Sequence, residues 1–102
     1  MSEKTVIFDF DGVWSADHKL FGNIASIFHI CGYRTLMITG RRDWTDDIER
    51  MRESFPDYLE IHFSGGAPKL EVAQRLGITK AIWIDDDPSS ITPPIIIDDS
   101  KL

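Results

Sequence analysis

Short apolar runs alternate along the chain with stretches in which apolar residues recur at every third or fourth position. Four of the runs are rich in β-branched residues and are typical of strands buried on both faces. In another run, the interleaved Glu60 and His62 indicate one wet face, nearer a sheet edge. The predicted strands are Thr5–Phe8, Thr35–Ile38, Leu59–Phe63, Ala81–Ile84 and Ile95–Ile97.

The periodic stretches between these strands predict three helices. Their apolar stripes are Ile24, Ile27, Phe28 and Cys31 in the first, Trp44, Ile48, Met51 and Phe55 in the second, and Leu70, Ala73 and Leu76 in the third. The expected starts are Asn23, Asp43 and Pro68, and the expected ends are Gly32, Pro56 and Gly77. Because Cys31 falls on an apolar stripe, we expect it to be a packed thiol rather than a reactive one.

Strand and helix alternate throughout, which predicts an α/β fold with a mainly parallel sheet, right-handed crossovers and helices on both faces. The expected architecture is a Rossmann-like, three-layer α/β/α arrangement around five strands. A chain of 102 residues is long enough for one core but too short for a second folded unit. We therefore interpret residues 1–102 as a single domain.

The composition, with 42% hydrophobic and 27% charged residues, is typical of an ordinary globular protein. The 11 basic and 17 acidic residues give a net charge of −6, which disfavours non-specific binding to nucleic acid or anionic lipid. The first residues contain no charged-then-apolar leader, and no apolar run approaches the roughly 18 residues that a membrane span needs. We therefore expect a cytoplasmic protein that does not bind membranes.

Polar side chains follow the ends of the predicted strands, and in a parallel sheet those ends gather at one edge, where ligands bind. They are Asp9 and Asp11 after the first strand, Thr39 after the second, Lys69 before the helix that follows the third, and Asp85 and Asp86 after the fourth. Crowded carboxylates repel one another unless a cation lies among them, and such hard oxygen ligands suit Mg²⁺. The sequence therefore predicts a magnesium site.

Lys69 gives an independent indication. A cation in the first turn of a helix opposes the helix dipole, and an anion bound at that end would offset the cost. Together with the acids, this favours a site for a phosphoryl group, with the metal and Lys69 neutralising its charge. Thr39 and backbone N–H groups are expected to hold its oxygens.

The same residues resemble the motifs of the haloacid dehalogenase superfamily, in the same order and over nearly the whole chain. The matching segments are Asp9-Phe10-Asp11-Gly12, Ile38-Thr39-Gly40, Lys69 and Asp85-Asp86. The resemblance implies that Asp9 attacks phosphorus and forms an aspartyl-phosphate, while Asp11 protonates the leaving oxygen and then activates water. It also implies that Mg²⁺ is held by Asp9, the backbone carbonyl of Asp11 and Asp85, with Asp86 as a further ligand or as an orienter of bound water. The choice between Asp85 and Asp86 as the direct ligand stays open.

An acid at the position of Asp11 is what the family's phosphatases carry and its dehalogenases lack, so phosphoryl chemistry is favoured. Most members insert a cap domain, but too few residues separate Asp11 from Thr39, and Thr39 from Lys69, for one here. The resemblance therefore implies a capless phosphatase in which residues 14–22 form a short turn and flap near the site.

The substrate is expected to be a phosphorylated compound of unknown size. Gly40, Arg41 and Arg42 follow the second motif and are candidates for contact with its non-reacting part. A polynucleotide-end phosphatase, a nucleotidase, a phosphotransferase and a non-catalytic domain that binds phosphate and Mg²⁺ are the alternatives. Nucleic acid is not favoured as a partner, whereas an oligomer is compatible with the sequence. A receiver domain is disfavoured because the strands that precede its acceptor aspartate, its threonine and its lysine are not the strands that precede the corresponding residues in this sequence.

Overall fold

Four parallel strands form one sheet in the computed structural model, which describes residues 4–92. The strands are β1 (Thr5–Phe8), β2 (Arg34–Thr39), β3 (Glu60–Phe63) and β4 (Ile82–Ile84), in the order β3-β2-β1-β4 across the sheet. The prediction of a parallel α/β sheet is confirmed for these strands, and so is the edge position of β3. The strand predicted at Ile95–Ile97 lies outside the described residues.

Three α-helices connect these strands: α1 (His18–Ile30), α2 (Asp46–Arg50) and α3 (Lys69–Arg75). Helix α1 ends as predicted, because Gly32 adopts a φ of 86° in the left-handed region that glycine occupies without a Cβ penalty. None of the helices between residues 4 and 92 has the length and apolar character needed to cross a lipid bilayer.

The side chains of the central strands alternate between two apolar cores on opposite faces of the sheet. On one face, Val6, Phe8 and Met37 pack with residues of α1 and α2. On the other face, Ile7, Leu36 and Ile38 pack against Val72 and Ala73 of α3. Because both faces of β1 and β2 are covered, these strands carry the continuous apolar runs from which they were predicted.

Helix α1 begins earlier than the periodicity indicates. The Asp17 carboxylate accepts a hydrogen bond of 3.1 Å from the backbone N–H of Leu20, so Asp17 caps the helix and the prediction of Asn23 as cap is wrong. The first turn is mostly exposed and therefore lacks the apolar spacing on which the prediction relied. A flap over residues 14–22 is also wrong, because the chain is helical from His18 and Trp14 is fully buried.

Two further expectations from periodicity fail where a helix ends. Cys31 is exposed rather than packed: it caps α1, and Ile27, one turn earlier on the predicted stripe, is exposed as well. The second helix is only the five residues of α2, preceded by Thr45 and followed by a 3₁₀ turn at Arg52–Ser54. Met51 nevertheless packs against the core, so the apolar spacing in this stretch correctly indicates a buried side chain but not a continuous helix.

Candidate active site

Asp9 and Asp85 extend two neighbouring strands at the same edge of the sheet. Phe8 at the end of β1 pairs with Ile84 at the end of β4, and the backbone N–H of Asp9 donates to the Ile84 carbonyl over 2.9 Å. This register brings the two following carboxylates side by side. Both side chains are almost completely buried, as expected for a site at the carboxyl ends of parallel strands.

Lys69 joins these two carboxylates. Its Nζ donates to Asp9 Oδ1 over 2.8 Å and to Asp85 Oδ2 over 2.7 Å, and only 3% of its side chain is exposed. It is the first residue of α3, directly after Pro68, so the start of the helix aims the ammonium at the sheet edge. The two buried ion pairs compensate for placing a cation in the first helical turn.

The three groups differ in how burial and hydrogen bonding balance. Burial raises the pKa of Asp9 to about 6, although its contact with Lys69 opposes the rise. Burial acts in the same direction on Asp85, but hydrogen bonds from Lys69 and from the Asp87 backbone N–H outweigh it and hold the pKa of Asp85 below its usual range. For Lys69, burial favours the neutral amine, yet the bonds to Asp85 and Asp9 outweigh it and raise the pKa.

A tight turn after β1 places Gly12 against the carboxylate of Asp86. The chain after β1 turns through Phe10–Trp14, where Gly12 has a φ of 76°. A Cβ added to Gly12 would lie 2.0 Å from Asp86 Oδ2, so this close approach requires glycine. The Asp86 carboxylate is thereby held against the loop that carries Asp9.

Asp9, Asp85 and Asp86 each offer a carboxylate oxygen, and the three oxygens lie within 4.8 Å of one another. Hard oxygen donors at this spacing fit Mg²⁺, which also keeps several water ligands. These three oxygens could hold a metal ion, and both Asp85 and Asp86 belong to the set, so the choice between them stays open. The Asp11 side chain is not among these donors, and ligation by its backbone carbonyl stays a prediction.

Asp11 instead forms a two-pronged ion pair with Arg41. Arg41 Nη2 donates to Asp11 Oδ1 over 2.6 Å, and Nε donates to Oδ2 over 3.1 Å. The remaining N–H groups of the guanidinium donate to the Asp47 carboxylate, over 2.6 and 2.7 Å, and to the Thr45 hydroxyl. Arg41 is thus engaged with protein groups, and its contact with substrate stays a prediction.

The residues of the second motif are placed differently from one another. Thr39 is fully buried at the end of β2, and its hydroxyl accepts a hydrogen bond of 3.4 Å from the Arg41 backbone N–H. Gly40, the next residue, is exposed and lines the cleft. Arg42 is exposed and lies along the loop at Gly65.

A cleft of about 330 Å³ opens over this edge of the sheet. It is lined by Asp9, Asp11, Gly12, Gly40, Lys69, Asp86, Asp87 and Ser90. Asp87 and Ser90 were not predicted: Asp87 caps the 3₁₀ turn Pro88–Ser90, and the Ser90 hydroxyl lies 3.4 Å from Asp85 Oδ2. The sequence Asp87-Pro88-Ser89 carries a capping signal that could have indicated this turn.

A second cavity of about 280 Å³ adjoins the cleft and shares Gly40, Lys69 and Ser90 with it. Its lining includes Ser64, whose buried hydroxyl has no hydrogen-bond partner among residues 4–92. Ser64 was also missed by sequence reasoning, because a serine in a glycine-rich loop gives no sign of burial.

Comparison of the chain with protein-family models, curated proteins and solved structures finds no match in any of the three. What the protein does must therefore be argued from the chemistry of this cleft.

Proposed function

We propose that the chain is a Mg²⁺-dependent phosphomonoester hydrolase of the haloacid dehalogenase type, in which Asp9 is the covalent nucleophile. The observation that carries this proposal is the position of Lys69, whose ammonium contacts Asp9 and Asp85 at 2.8 and 2.7 Å within a group of three clustered acids. A buried cation beside several carboxylates suits an anionic substrate, because the cation offsets the charge that substrate brings.

Asp9 is the best-placed nucleophile. Its carboxylate lines the cleft, and Oδ1 accepts hydrogen bonds from Lys69 and from the Phe10 backbone N–H, while Oδ2 accepts none from the residues described in the structure. In the first step Oδ2 forms a bond to phosphorus while the bond from phosphorus to the leaving oxygen breaks. Lys69 counters negative charge at this point, which favours the transition state.

Asp11 is the proposed acid and base. It lines the same cleft two residues after Asp9, and its side chain is 57% exposed, so substrate and water both reach it. Its proton passes to the leaving oxygen in the first step. In the second step Asp11 takes a proton from water as the water oxygen bonds to phosphorus and the bond to Asp9 breaks.

Magnesium would be held by Asp9, Asp85 and Asp86, with the Asp11 carbonyl as a further ligand. When bound, it supplies positive charge that stabilises the phosphoryl oxygens and keeps Asp9 ionised. The raised pKa of Asp9 supports this assignment, because a carboxyl that burial makes reluctant to ionise gains most from a neighbouring cation.

The test is hydrolysis of p-nitrophenyl phosphate by the native protein and by Asp9→Asn, with Mg²⁺ and with EDTA. We expect Mg²⁺-dependent turnover that falls about 1,000-fold or more in the variant. Mass spectrometry of acid-quenched native protein should detect phosphate on Asp9. The matched control is Asp57→Asn, an exposed aspartate ahead of β3 and outside the cleft, which should retain full activity.

A native protein that binds Mg²⁺ but turns over no phosphomonoester would contradict the hydrolase. It would favour the alternative of a domain that binds phosphate and Mg²⁺ without catalysis. Full activity in Asp9→Asn would instead contradict the covalent mechanism.

A further inference from the structure

The guanidinium of Arg41 has an acceptor for each of its five N–H groups. Two go to Asp11, two to Asp47 and one to the Thr45 hydroxyl. The guanidinium also lies over the ring of Phe10, with 5.2 Å between Cζ and the ring centroid. Arg41 is therefore held on three sides by protein groups, in one fixed orientation.

The contacts with Arg41 fix the orientation of the Asp11 carboxylate. Its carboxylate is 57% exposed and lies in a loop, where a short side chain would otherwise rotate freely. Paired contacts from Nε and Nη2 fix both the direction and the plane of the carboxylate. Each carboxylate oxygen keeps a second lone pair, which stays available to a proton, a substrate oxygen or water.

We infer that Arg41, anchored by Asp47, is a positioning residue that orients Asp11 for proton transfer in the cleft. This inference rests on the proposed function, since it needs Asp11 to be the acid and base. It differs from the expectation drawn from sequence, in which Arg41 touches the non-reacting part of the substrate. Arg41 does not line the cleft, whereas Asp11 does, so Arg41 acts through Asp11.

The leaving group separates this role from a merely structural one. The nitrophenolate of p-nitrophenyl phosphate leaves as a stable anion and needs little help from an acid. The alkoxide of glycerol 2-phosphate must be protonated as it leaves, and general acid catalysis is worth about 100-fold or more. A loss of Asp11 orientation should therefore lower kcat/KM for the alkyl ester much more than for the aryl ester, whereas general damage lowers both equally.

The variants are Arg41→Ala, Arg41→Lys and Asp47→Asn, compared with Asp46→Asn as the matched control. Asp46 is the exposed neighbour of Asp47 in α2, and its substitution removes the same charge. We expect Arg41→Ala to lower kcat/KM for glycerol 2-phosphate at least about 10-fold more than for p-nitrophenyl phosphate. Asp47→Asn should act in the same direction and more weakly, and Asp46→Asn should change neither value. Arg41→Lys keeps the charge without the paired contacts, so its losses of kcat/KM for the two esters should resemble those of Arg41→Ala.

A second readout does not depend on turnover. In the metal-free protein the Nε–H resonance of Arg41 should be protected from solvent exchange, and it should shift in Asp11→Asn and Asp47→Asn but not in Asp46→Asn. Equal losses for both esters, no loss for either, or an Nε–H that exchanges freely would overturn the inference. These outcomes would leave the proposed function intact if Asp9→Asn is still inactive, whereas an active Asp9→Asn would contradict the covalent mechanism itself.

Discussion

The ammonium of Lys69 lies 2.8 Å from the carboxylate of Asp9, across 60 positions of sequence, and both side chains are buried. Asp85 completes the arrangement at 2.7 Å from the same nitrogen. The first turn of α3 is thereby tied to the ends of β1 and β4. Removing the cation would leave two buried carboxylates facing each other, which is costly in stability as well as in function.

Lys69→Met should therefore remove the charge while keeping most of the side-chain volume. We expect the free energy of unfolding at neutral pH to fall by about 3 kcal/mol in the metal-free protein, because the uncompensated carboxylates resist burial. Phosphatase activity should fall about 100-fold or more. Chemical denaturation and steady-state kinetics measure the two effects. Lys80→Met, at an exposed lysine before β4, is the control, and a similar loss there would argue against a specific role for Lys69.

The raised pKa of Asp9 predicts a definite pH dependence. The folded-state pKa of about 6 lies above the ordinary aspartate value of 3.8, so the folded chain holds this proton more tightly than the unfolded chain does. In the metal-free protein, the stability that Asp9 contributes is fully present below about pH 4 and is lost as the pH rises towards 6. Asp85, with its lowered pKa, acts oppositely and at lower pH, since its contribution is lost as the pH falls below its ordinary range.

Magnesium binding should follow from the same titration. Mg²⁺ requires Asp9 to be ionised, so the apparent affinity should fall by up to about tenfold per pH unit below pH 6 and level off above it. Titration calorimetry in two buffers of different ionisation enthalpy would detect a proton released on binding at pH 5.5 but not at pH 8. An affinity that does not change between these pH values would count against Asp9 as a ligand.

Gly12→Ala should weaken Mg²⁺ binding as well as the fold. The positive φ of 76° costs an L-residue roughly 1–2 kcal/mol. The added Cβ would also displace the exposed Asp86 carboxylate, which lies in its path. We expect Mg²⁺ affinity to fall about tenfold.

Gly32→Ala is the matched control for this change. Gly32 has a similar φ of 86°, but a Cβ there would meet none of the described residues within 4 Å, and Gly32 lies just after the C-terminal end of α1. Its stability should fall by a comparable amount while its Mg²⁺ affinity is unchanged. If both variants lost affinity equally, the contact between Gly12 and Asp86 would not be the cause.

An ion pair at the opposite end of the sheet should affect the fold alone. Arg34 donates to both carboxylate oxygens of Glu60, at 2.7 and 2.8 Å, and joins β2 to the edge strand β3. The hydrogen bonds from Arg34 have the largest effect in holding the pKa of Glu60 below its usual value. The stability from this pair is therefore present above about pH 4.5 and is lost as the pH falls through the folded-state pKa. Glu60→Gln should lower the free energy of unfolding by about 1 kcal/mol. Kinetic constants and Mg²⁺ affinity should stay at native values, and a change in either would indicate coupling across the sheet.

The sequence predicted the parts of the fold that depend on burial and on chain order. Continuous apolar runs located β1, β2 and β4. For β1 and β2 the run reflects cover on both faces, whereas β4 lies at the edge of the described sheet and its Ile82 is exposed. The order of strands and helices then brought Asp9, Lys69 and Asp85 to one edge, where they do meet. Residues that directly follow parallel strands must lie at the same edge of the sheet.

The features that were missed depend on contacts between residues distant in sequence or on the ends of elements. The spacing of Ile27 and Cys31 predicts a buried stripe, but Ile27 is exposed within α1 and Cys31 follows the last residue of the helix. The pairing of Arg41 with Asp11 spans 30 positions and depends on where two loops cross. Periodicity carries no information about such a crossing, so an arginine next to a phosphate-site motif was more simply interpreted as a substrate contact.

The pairing of β1 with β4 determines when the site can exist during synthesis. Of the described strands, β1 leaves the ribosome first and β4 last, so Asp9 can pair with its neighbour Asp85 only after the segment between them has been translated. Such a non-local pairing closes late, because a long loop must be ordered before the contact forms. Nascent chains that stop before β4 would lack both Asp85 and Asp86, and would therefore have neither the proposed metal site nor the second carboxylate that binds Lys69.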